Sequence, residues 1–119
     1  MTQSAELGKS GEDLAEKYLN KIGYKIIEKN FKTKFGEIDI IAKDKKTIVF
    51  AEVKTRAGNA YGSPQSAVNF YKQKHLSLAA FTFIKKNSLK SDYRFDIIAI
   101  CDDKIEHIEN AFIPKGYTI

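Results

Sequence analysis

The chain is poor in the residues that build disulfide frameworks and zinc sites. Its 119 residues include one cysteine and two histidines, and tryptophan is absent. A lone cysteine, Cys101, excludes an internal disulfide and fits a reducing cytoplasm, which is the location we expect. Because zinc is bound mainly by cysteine and histidine, the composition also argues against a zinc enzyme.

Long apolar runs, internal repeats and nucleotide-binding loops are also missing. No apolar run approaches the roughly 20 residues of a membrane helix, so no membrane partner is expected. The opening stretch, MTQSAELGKSGEDLAEKYL, is polar and contains acids, unlike a signal or transit peptide. The chain has no Gly-x-Ser-x-Gly, no P-loop and no Gly-x-Gly-x-x-Gly, which argues against serine-hydrolase, P-loop and dinucleotide chemistry.

What is present is ordinary for a single globular domain spanning residues 1–119. Hydrophobic residues make up 43% and charged residues 29% of the chain. The formal net charge of +5 favours an anionic partner such as nucleic acid, although many cytoplasmic enzymes are as basic.

The hydrophobic periodicity predicts an α/β fold with the element order α-β-β-β-α-β-β. Hairpins imply antiparallel pairs and the long second helix permits a parallel crossover, so we expect a mixed sheet of about five strands flanked by helices. The predicted helices cover residues 4–22 and 64–86, and the predicted strands cover residues 24–32, two segments within 36–56, 93–100 and 104–108.

The second helix is predicted to begin at Ser63-Pro64, because serine is a favoured N-cap and proline suits the first helical position. Its expected buried stripe contains Val68, Tyr71, His75, Leu78 and Ala79, with Phe83 extending it. On that pattern His75 is interpreted as a core histidine rather than a ligand.

Charged residues interrupt the two strands within residues 36–56. Asp39 lies inside Ile-Asp-Ile-Ile, and Glu52 precedes Val53 and Lys54. If Asp44 and Lys45 form a two-residue loop, Asp39 lies diagonal to Glu52 on one face, with Cα atoms roughly 7–8 Å apart. Lys54 faces the same side because side chains alternate along a strand.

Carboxylates on core strands require partners, and a divalent cation is one such partner. Oxygen ligands favour Mg²⁺ or Mn²⁺, which would neutralise charge on a phosphate and activate a water molecule. Lys54 would then orient that water or stabilise the transition state. Glu12, on the flank of the first helix, is a further candidate ligand, or simply an acid favoured by the helix dipole. Asp96 is either a ligand or, as we expect, a salt-bridge partner of Arg94 or of a lysine.

The wider pattern resembles the YraN-like family of predicted endonucleases, in the restriction-endonuclease-like PD-(D/E)XK superfamily, whose members are similar to archaeal Holliday-junction resolvases. Asp39 followed by Glu52-Val53-Lys54 matches the superfamily signature, and the match continues over nearly the whole chain. The other matching segments are Gly11-Glu12, Asn30, Gly36-Glu37-Ile38-Asp39, Phe50 to Arg56, Lys72-Gln73, Arg94-Phe95-Asp96 and Asn110-Ala111-Phe112.

This resemblance implies a restriction-endonuclease-like core and a Mg²⁺- or Mn²⁺-dependent endonuclease acting on DNA, branched or Holliday-junction-like DNA among the substrates. It implies metal ligands at Asp39 and Glu52, a catalytic lysine at Lys54 and a supporting ligand at Glu12. Resolvase relatives work as dimers, so a homodimer is also implied. We expect Arg56, Lys72 and Lys74 to contact phosphates, and a supporting role at the family positions Glu37, Gln73, Arg94 and Asp96.

Two alternatives remain open from the sequence. The chain could be a nucleic-acid-binding protein that keeps a nuclease fold without cutting, which needs only its lysines and arginines. The acids could instead be structural salt-bridge partners of Lys54 and Arg56. In that case Glu52→Ala would lower stability by several kcal/mol by leaving a buried lysine unpaired.

Overall fold

The computed structural model describes residues 3–56, 68–102 and 104–113, with side chains described from residue 11 onward. These residues form two helices and five strands in the predicted order. The elements are α1 Gln3–Lys21, β1 Lys25–Thr33, β2 Gly36–Asp44, β3 Thr47–Arg56, α2 Phe70–Lys86, β4 Tyr93–Cys101 and β5 Lys104–Phe112. The α/β class, the mixed sheet and the element order are thereby confirmed.

The five strands form one sheet in the order β1-β2-β3-β4-β5. Neighbours are antiparallel except β3 and β4, which are parallel and are joined by the segment containing α2. The interior strands β3, at the centre, and β4, beside it, are covered on both faces and must be apolar on each. Their buried runs, from Ile48 to Glu52 and from Phe95 to Ile100, satisfy that requirement.

Each helix covers one face of the sheet. Ala15 and Leu19 of α1 are fully buried in a core with Ile40, Val49 and Ile98. The core under α2 is larger and richer in aromatic residues; it contains Leu76, Ala80, Phe83, Phe31, Phe50 and Phe95. No helix among the described residues is both long and apolar enough to span a membrane.

The second helix differs from its prediction. The proposed start at Ser63-Pro64 lies outside the described residues, but an uninterrupted helix from 64 to 86 is wrong because Asn69 is extended (φ −75°, ψ 179°). Asn69 is the N-cap of α2, and its side-chain oxygen accepts a hydrogen bond from the backbone nitrogen of Lys72.

The predicted stripe of α2 is also partly wrong. The buried residues of this helix are Leu76, Ser77, Ala79, Ala80, Phe83 and Ile84. Tyr71 is 74% exposed, and His75 is exposed, so His75 is not a core histidine. The helix has apolar residues on more than one side. The side that packs on the sheet is rotated by about one residue relative to the predicted stripe.

The loop between β2 and β3 is formed by Lys45 and Lys46, not by Asp44 and Lys45. Asp44 pairs with Thr47, and the ladder continues to Ile40 opposite Ala51. The predicted register was therefore wrong by two residues, since four consecutive charged residues offered several loops and Lys45 is the one with positive φ (56°). A shift of two residues preserves the face of a side chain wherever the strand alternates regularly, as β3 does at Glu52 and Lys54.

Candidate active site

Glu52 is a buried acid on the α2 side of the central strand β3. Its side chain is 6% exposed, and Oε1 lies 3.5 Å from Lys72 Nζ and 3.9 Å from Lys54 Nζ. Its other oxygen, Oε2, is buried and has no hydrogen-bond partner among the described residues. A carboxylate oxygen in this state is costly unless a ligand or a proton completes it.

Asp39 lies beside Glu52, one residue beyond the last pair of the β2–β3 ladder. Continuing the observed register sets it directly opposite Glu52 rather than diagonal to it. Its Oδ2 accepts a hydrogen bond of 2.8 Å from the backbone nitrogen of Val53, which fixes the orientation of the carboxylate. The backbone N–H of Val53 is thus bonded to a side chain rather than to a backbone carbonyl, at the point where the β2–β3 ladder ends.

An irregularity in the outer hairpin places Asp39 between the two faces of the sheet. Residues two apart normally face the same side of a strand, yet Ile38 belongs to the core under α2 and Ile40 to the core under α1. The reversal coincides with Asn30, whose φ is 54° and which lies between the pairs Lys29–Ile40 and Phe31–Ile38. Asp39 can therefore interact with acids from both faces.

Glu12 and Glu37 are two further acids near Asp39, and Asn30 forms hydrogen bonds with both of them. With the amide nitrogen facing the acids, Asn30 donates to Glu37 Oε1 at 2.8 Å and to Glu12 Oε1 at 2.9 Å. Burial raises the pKa of Glu12, and repulsion from Asp39 and Glu37 raises it further. Asp39 is thus the acid that interacts with both Glu12 and Glu52.

The electrostatics of Glu52 follow from its burial. Desolvation and repulsion from Asp39 raise the pKa of Glu52 from its ordinary value of 4.5 to about 7, although Lys72 and Lys54 oppose the shift. A buried carboxylate whose pKa is raised by burial and by a neighbouring carboxylate is typical of a site that binds a cation or holds a proton.

The donor set suits a hard cation. Carboxylate oxygens are the ligands that Mg²⁺ and Mn²⁺ prefer, and Oε2 of Glu52, which no group in the described part of the chain contacts by a hydrogen bond, is a position that such an ion would complete. Within the described part of the chain, no three acidic, histidine or cysteine side chains are already gathered as a metal site. An ion held here would rest on Asp39 and Glu52, with Glu12 drawn in from α1.

Gly11 determines how closely α1 approaches the site. A Cβ atom added at Gly11 would lie 2.1 Å from Oγ1 of Thr55 on β3 and 3.4 Å from the Thr55 Cβ. Only a residue without a side chain lets the helix rest on Thr55 at this distance. The contact places the adjacent residue, Glu12, beside Asn30 and Asp39.

We expect Gly11→Ala to lower the free energy of unfolding by about 1–3 kcal/mol, the usual cost of overpacking. Alanine normally stabilises a helix relative to glycine, so the sign of the change reports the contact with Thr55. In a Thr55→Ala background the Oγ1 is gone, and Gly11→Ala should become neutral or stabilising. Urea denaturation of the four variants in this cycle checks the expectation; equal costs in both backgrounds would contradict it.

The remaining predicted residues divide into those near the acids and those elsewhere. Lys72 contacts Glu52, whereas Lys74 is exposed and Arg56 is partly exposed. Gln73 donates from Nε2 to the carbonyl oxygen of Val68 at 3.0 Å, which fixes the entry into α2. Its role is therefore structural in this arrangement.

Arg94 and Asp96 belong to a separate buried network. Arg94 Nε and Asp96 Oδ1 are 2.9 Å apart, which confirms the expected salt bridge. Asp96 is fully buried and also contacts His107 Nε2 at 2.7 Å and the backbone nitrogen of Asn110 at 3.0 Å. Its oxygens are thus already occupied by hydrogen-bond donors. The other members of this network are Tyr18, Tyr24, Asp44 and Glu109.

Sequence reasoning did not identify Asn30 as a site residue, although the family pattern contains it. The sequence around a single polar residue on an edge strand does not indicate which acidic side chains it will contact in the folded protein. Nor could the sequence show that Lys72 would reach Glu52, because that contact depends on how α2 packs.

A comparison with known proteins identifies the family. The protein-family model described as "Uncharacterised protein family UPF0102" matches residues 11–100 of the sequence. The chain belongs to the UPF0102 family. This confirms the family-level part of the resemblance. The matched region begins at Gly11 and includes Glu12, Asp39, Glu52 and Lys54.

Individual UPF0102 proteins match almost end to end. A UPF0102 protein of Thermodesulfovibrio yellowstonii is 58% identical over 109 residues, covering 90% of this chain and 96% of its own length. One from Geobacter metallireducens is 51% identical over 111 residues, covering 89% and 91%. One from Rhodococcus opacus is 42% identical over 118 residues, covering 94% and 100%. The chain is therefore about as long as these relatives.

Proposed function

We propose that this UPF0102 protein is a Mg²⁺- or Mn²⁺-dependent endonuclease that hydrolyses phosphodiester bonds in DNA. The observation that carries the proposal is Glu52, a buried acid that lies beside Asp39 and two lysines and has one oxygen without a hydrogen-bond partner among residues 11–56, 68–102 and 104–113. The resemblance to restriction-endonuclease-like proteins supports the same chemistry, and it extends the proposal to branched DNA and to a homodimer that makes two symmetric cuts.

The acids and the lysine of the site have different proposed roles. Asp39 and Glu52, helped by Glu12, would bind the metal, which would neutralise charge on the scissile phosphate and lower the pKa of a bound water. Lys54, whose side chain is 30% exposed, can reach both the acids and the solvent side of the site. We assign it to orienting the attacking water and stabilising charge on the phosphate.

Lys72 would change partners when DNA binds. In the metal-free protein its Nζ lies 3.5 Å from Glu52 Oε1. A cation at the acids would take over the role of neutralising Glu52, which would free Lys72 for a phosphate. Lys74 and Arg56 extend this positive surface, and such contacts are sequence-independent and weaken as salt is raised.

The test is cleavage of branched, single-stranded and duplex DNA in Mg²⁺ or Mn²⁺. We expect Lys54→Ala to reduce the rate at least about a hundredfold, the usual loss for a group that stabilises transition-state charge. Lys104→Ala, which removes an exposed lysine of β5, is the matched control and should cut normally. Cutting that survives in Lys54→Ala and Glu52→Ala would indicate a contaminant or another site.

Calorimetric titration with Mg²⁺ or Mn²⁺ separates this proposal from the non-catalytic alternative. A nuclease should bind millimolar metal in a manner that depends on Asp39 and Glu52. Intact DNA binding without any metal binding would favour a protein that holds nucleic acid but does not cut it.

A further inference from the structure

The first turn of α2 exposes two aromatic rings to solvent. Phe70 is 66% and Tyr71 is 74% exposed, and they are the aromatic members of the exposed large hydrophobic residues in the described part of the chain. Their ring centroids lie 6.3 Å apart at an angle of 75°. Two adjacent exposed rings cost solvation free energy, and such patches mark interaction sites.

The aromatic pair lies in the same helical turn as Lys72, which contacts Glu52 of the candidate active site. Lys72 is two residues from Phe70, about 3 Å along the helix axis, and its Nζ is 3.5 Å from Glu52 Oε1. The rings therefore project from the same helical turn that reaches the buried acid. Side chains two residues apart on a helix do not face each other, so Phe70 points away from the side of α2 on which Lys72 contacts Glu52. A strand bound at Lys72 would have to pass around this turn to reach the rings.

The sequence segment that contains the pair carries charge of one sign. Between Glu52 and Asp92 the sequence contains seven lysines and arginines and no acidic residue. Within α2, Lys72, Lys74, Lys85 and Lys86 are the charged residues. A purely apolar partner would gain nothing from these lysines, and an acidic peptide would not need the rings. A nucleic-acid strand offers both anionic phosphates and planar bases.

The bases must be unpaired to reach the rings. In a duplex the faces of the bases are stacked inside the helix, whereas in a single strand or at a junction they can stack on aromatic side chains. We propose that Phe70 and Tyr71 form a stacking platform for unpaired bases of DNA, on the turn of α2 that also carries Lys72. The protein would thereby prefer single-stranded or junction DNA to continuous duplex.

This inference rests on the proposed function for the identity of the ligand, but its test does not require cutting. Binding of labelled single-stranded, forked and blunt duplex DNA is measured by fluorescence anisotropy in EDTA. We expect Phe70→Ala and Tyr71→Ala each to weaken single-strand and fork binding about tenfold to a hundredfold, the range for loss of one base stack. Duplex affinity should change less than about twofold.

The controls distinguish a ring from general hydrophobicity. Tyr71→Phe and Phe70→Tyr should bind as the unmodified protein does, whereas Phe70→Leu should resemble Phe70→Ala. Ile113→Ala removes another exposed apolar residue, 68% exposed beyond β5, and should have no effect. Quenching of 2-aminopurine in a single strand should be lost in both alanine variants. Because both rings are exposed, thermal unfolding should be unchanged.

Equal losses on single-stranded and duplex DNA, or no loss on either, would overturn the platform. So would sedimentation showing a dimer that the alanine variants convert to monomers, since the rings would then be a contact between copies. Ring-dependent single-strand binding in a protein that never cuts would refute the proposed function and leave the platform standing. Cutting by a protein whose DNA binding does not depend on the rings would support the proposed function and refute the platform.

Discussion

Glu52→Gln is expected to abolish cutting and, at pH 8 without metal, to raise the free energy of unfolding. The pKa of Glu52 is about 7 in the folded protein and 4.5 in the unfolded chain. The folded state therefore binds this proton more tightly. The contribution of Glu52 to stability is therefore most favourable below about pH 4.5 and is lost as pH rises from about 4.5 to 7.

Above pH 7 the buried carboxylate thus lowers stability, by at most about 3 kcal/mol on the conversion of a pKa shift to free energy. Glutamine has the same shape without the charge, so the variant should gain up to this amount at pH 8 and nothing near pH 4.5. Millimolar Mg²⁺ should stabilise the unmodified protein by mass action, but not the variant. Urea denaturation at several pH values, with and without Mg²⁺, measures each of these changes.

Glu16→Gln is the matched control. Glu16 pairs with Lys29 at 2.8 Å on the surface, with side-chain exposures of 32% and 39%. Surface pairs contribute about 0–1 kcal/mol, so this variant should cut normally and show little change in stability. If Glu52→Gln instead loses several kcal/mol at pH 8, the acid is a structural partner of Lys54 and Lys72.

Asp96→Ala should lower the free energy of unfolding by about 3–5 kcal/mol, the cost of removing one partner from a buried ion pair. Asp96 is fully buried and accepts hydrogen bonds from Arg94, His107 and the backbone of Asn110. It also lies at a β-bulge, because the β4–β5 register shifts between Phe95 and Ile97. Without the carboxylate, the bulged segment of β5 loses the hydrogen bonds that His107 and Asn110 make to β4.

The same network makes part of the stability dependent on acid pH. Burial by itself would raise the pKa of Asp96, but hydrogen bonds from His107, Arg94 and Asn110 outweigh it and lower the pKa below 3.8. The stabilisation is therefore present above about pH 4 and is lost as pH falls through the folded-state pKa. Asp96→Ala should flatten this acid limb of the stability curve.

Asp13→Ala, which removes an exposed acid of α1, is the control for Asp96→Ala and should alter stability by less than about 0.5 kcal/mol. If Asp96→Ala does not accumulate in folded form, Asp96→Asn keeps one acceptor oxygen and should show an intermediate loss. A loss below about 1 kcal/mol in Asp96→Ala would contradict the role of the network.

The elements could be predicted because each has a local cause. The spacing of Ala15 and Leu19 indicates a helix, and the apolar runs of β3 and β4 indicate buried strands, whatever they contact. The salt bridge between Arg94 and Asp96 was also predictable, since residues two apart share a face of a strand. The partners that complete it, Tyr24, His107 and Glu109, come from distant parts of the chain and gave no signal.

The register and the helix phase were not predictable to the same degree. Lys45 and Lys46 form the loop rather than Asp44 and Lys45, because several charged residues were equally suited to the turn. Tyr71 and His75 are exposed because packing against the sheet, rather than the apolar pattern of α2, selected which side is buried.

The sequence by itself determined the fold class, the order of elements and the presence of Asp39, Glu52 and Lys54 on neighbouring core strands. Regular alternation along β3 kept Glu52 and Lys54 on one face despite the register error of two residues, whereas the irregularity at Asn30 places Asp39 between the two faces. Only the tertiary structure decided that Asn30 would join Glu12 to Glu37, that Lys72 would reach Glu52 and that two rings would stay in solvent. Those contacts depend on where each helix rests on the sheet, and Gly11 against Thr55 fixes that position for α1.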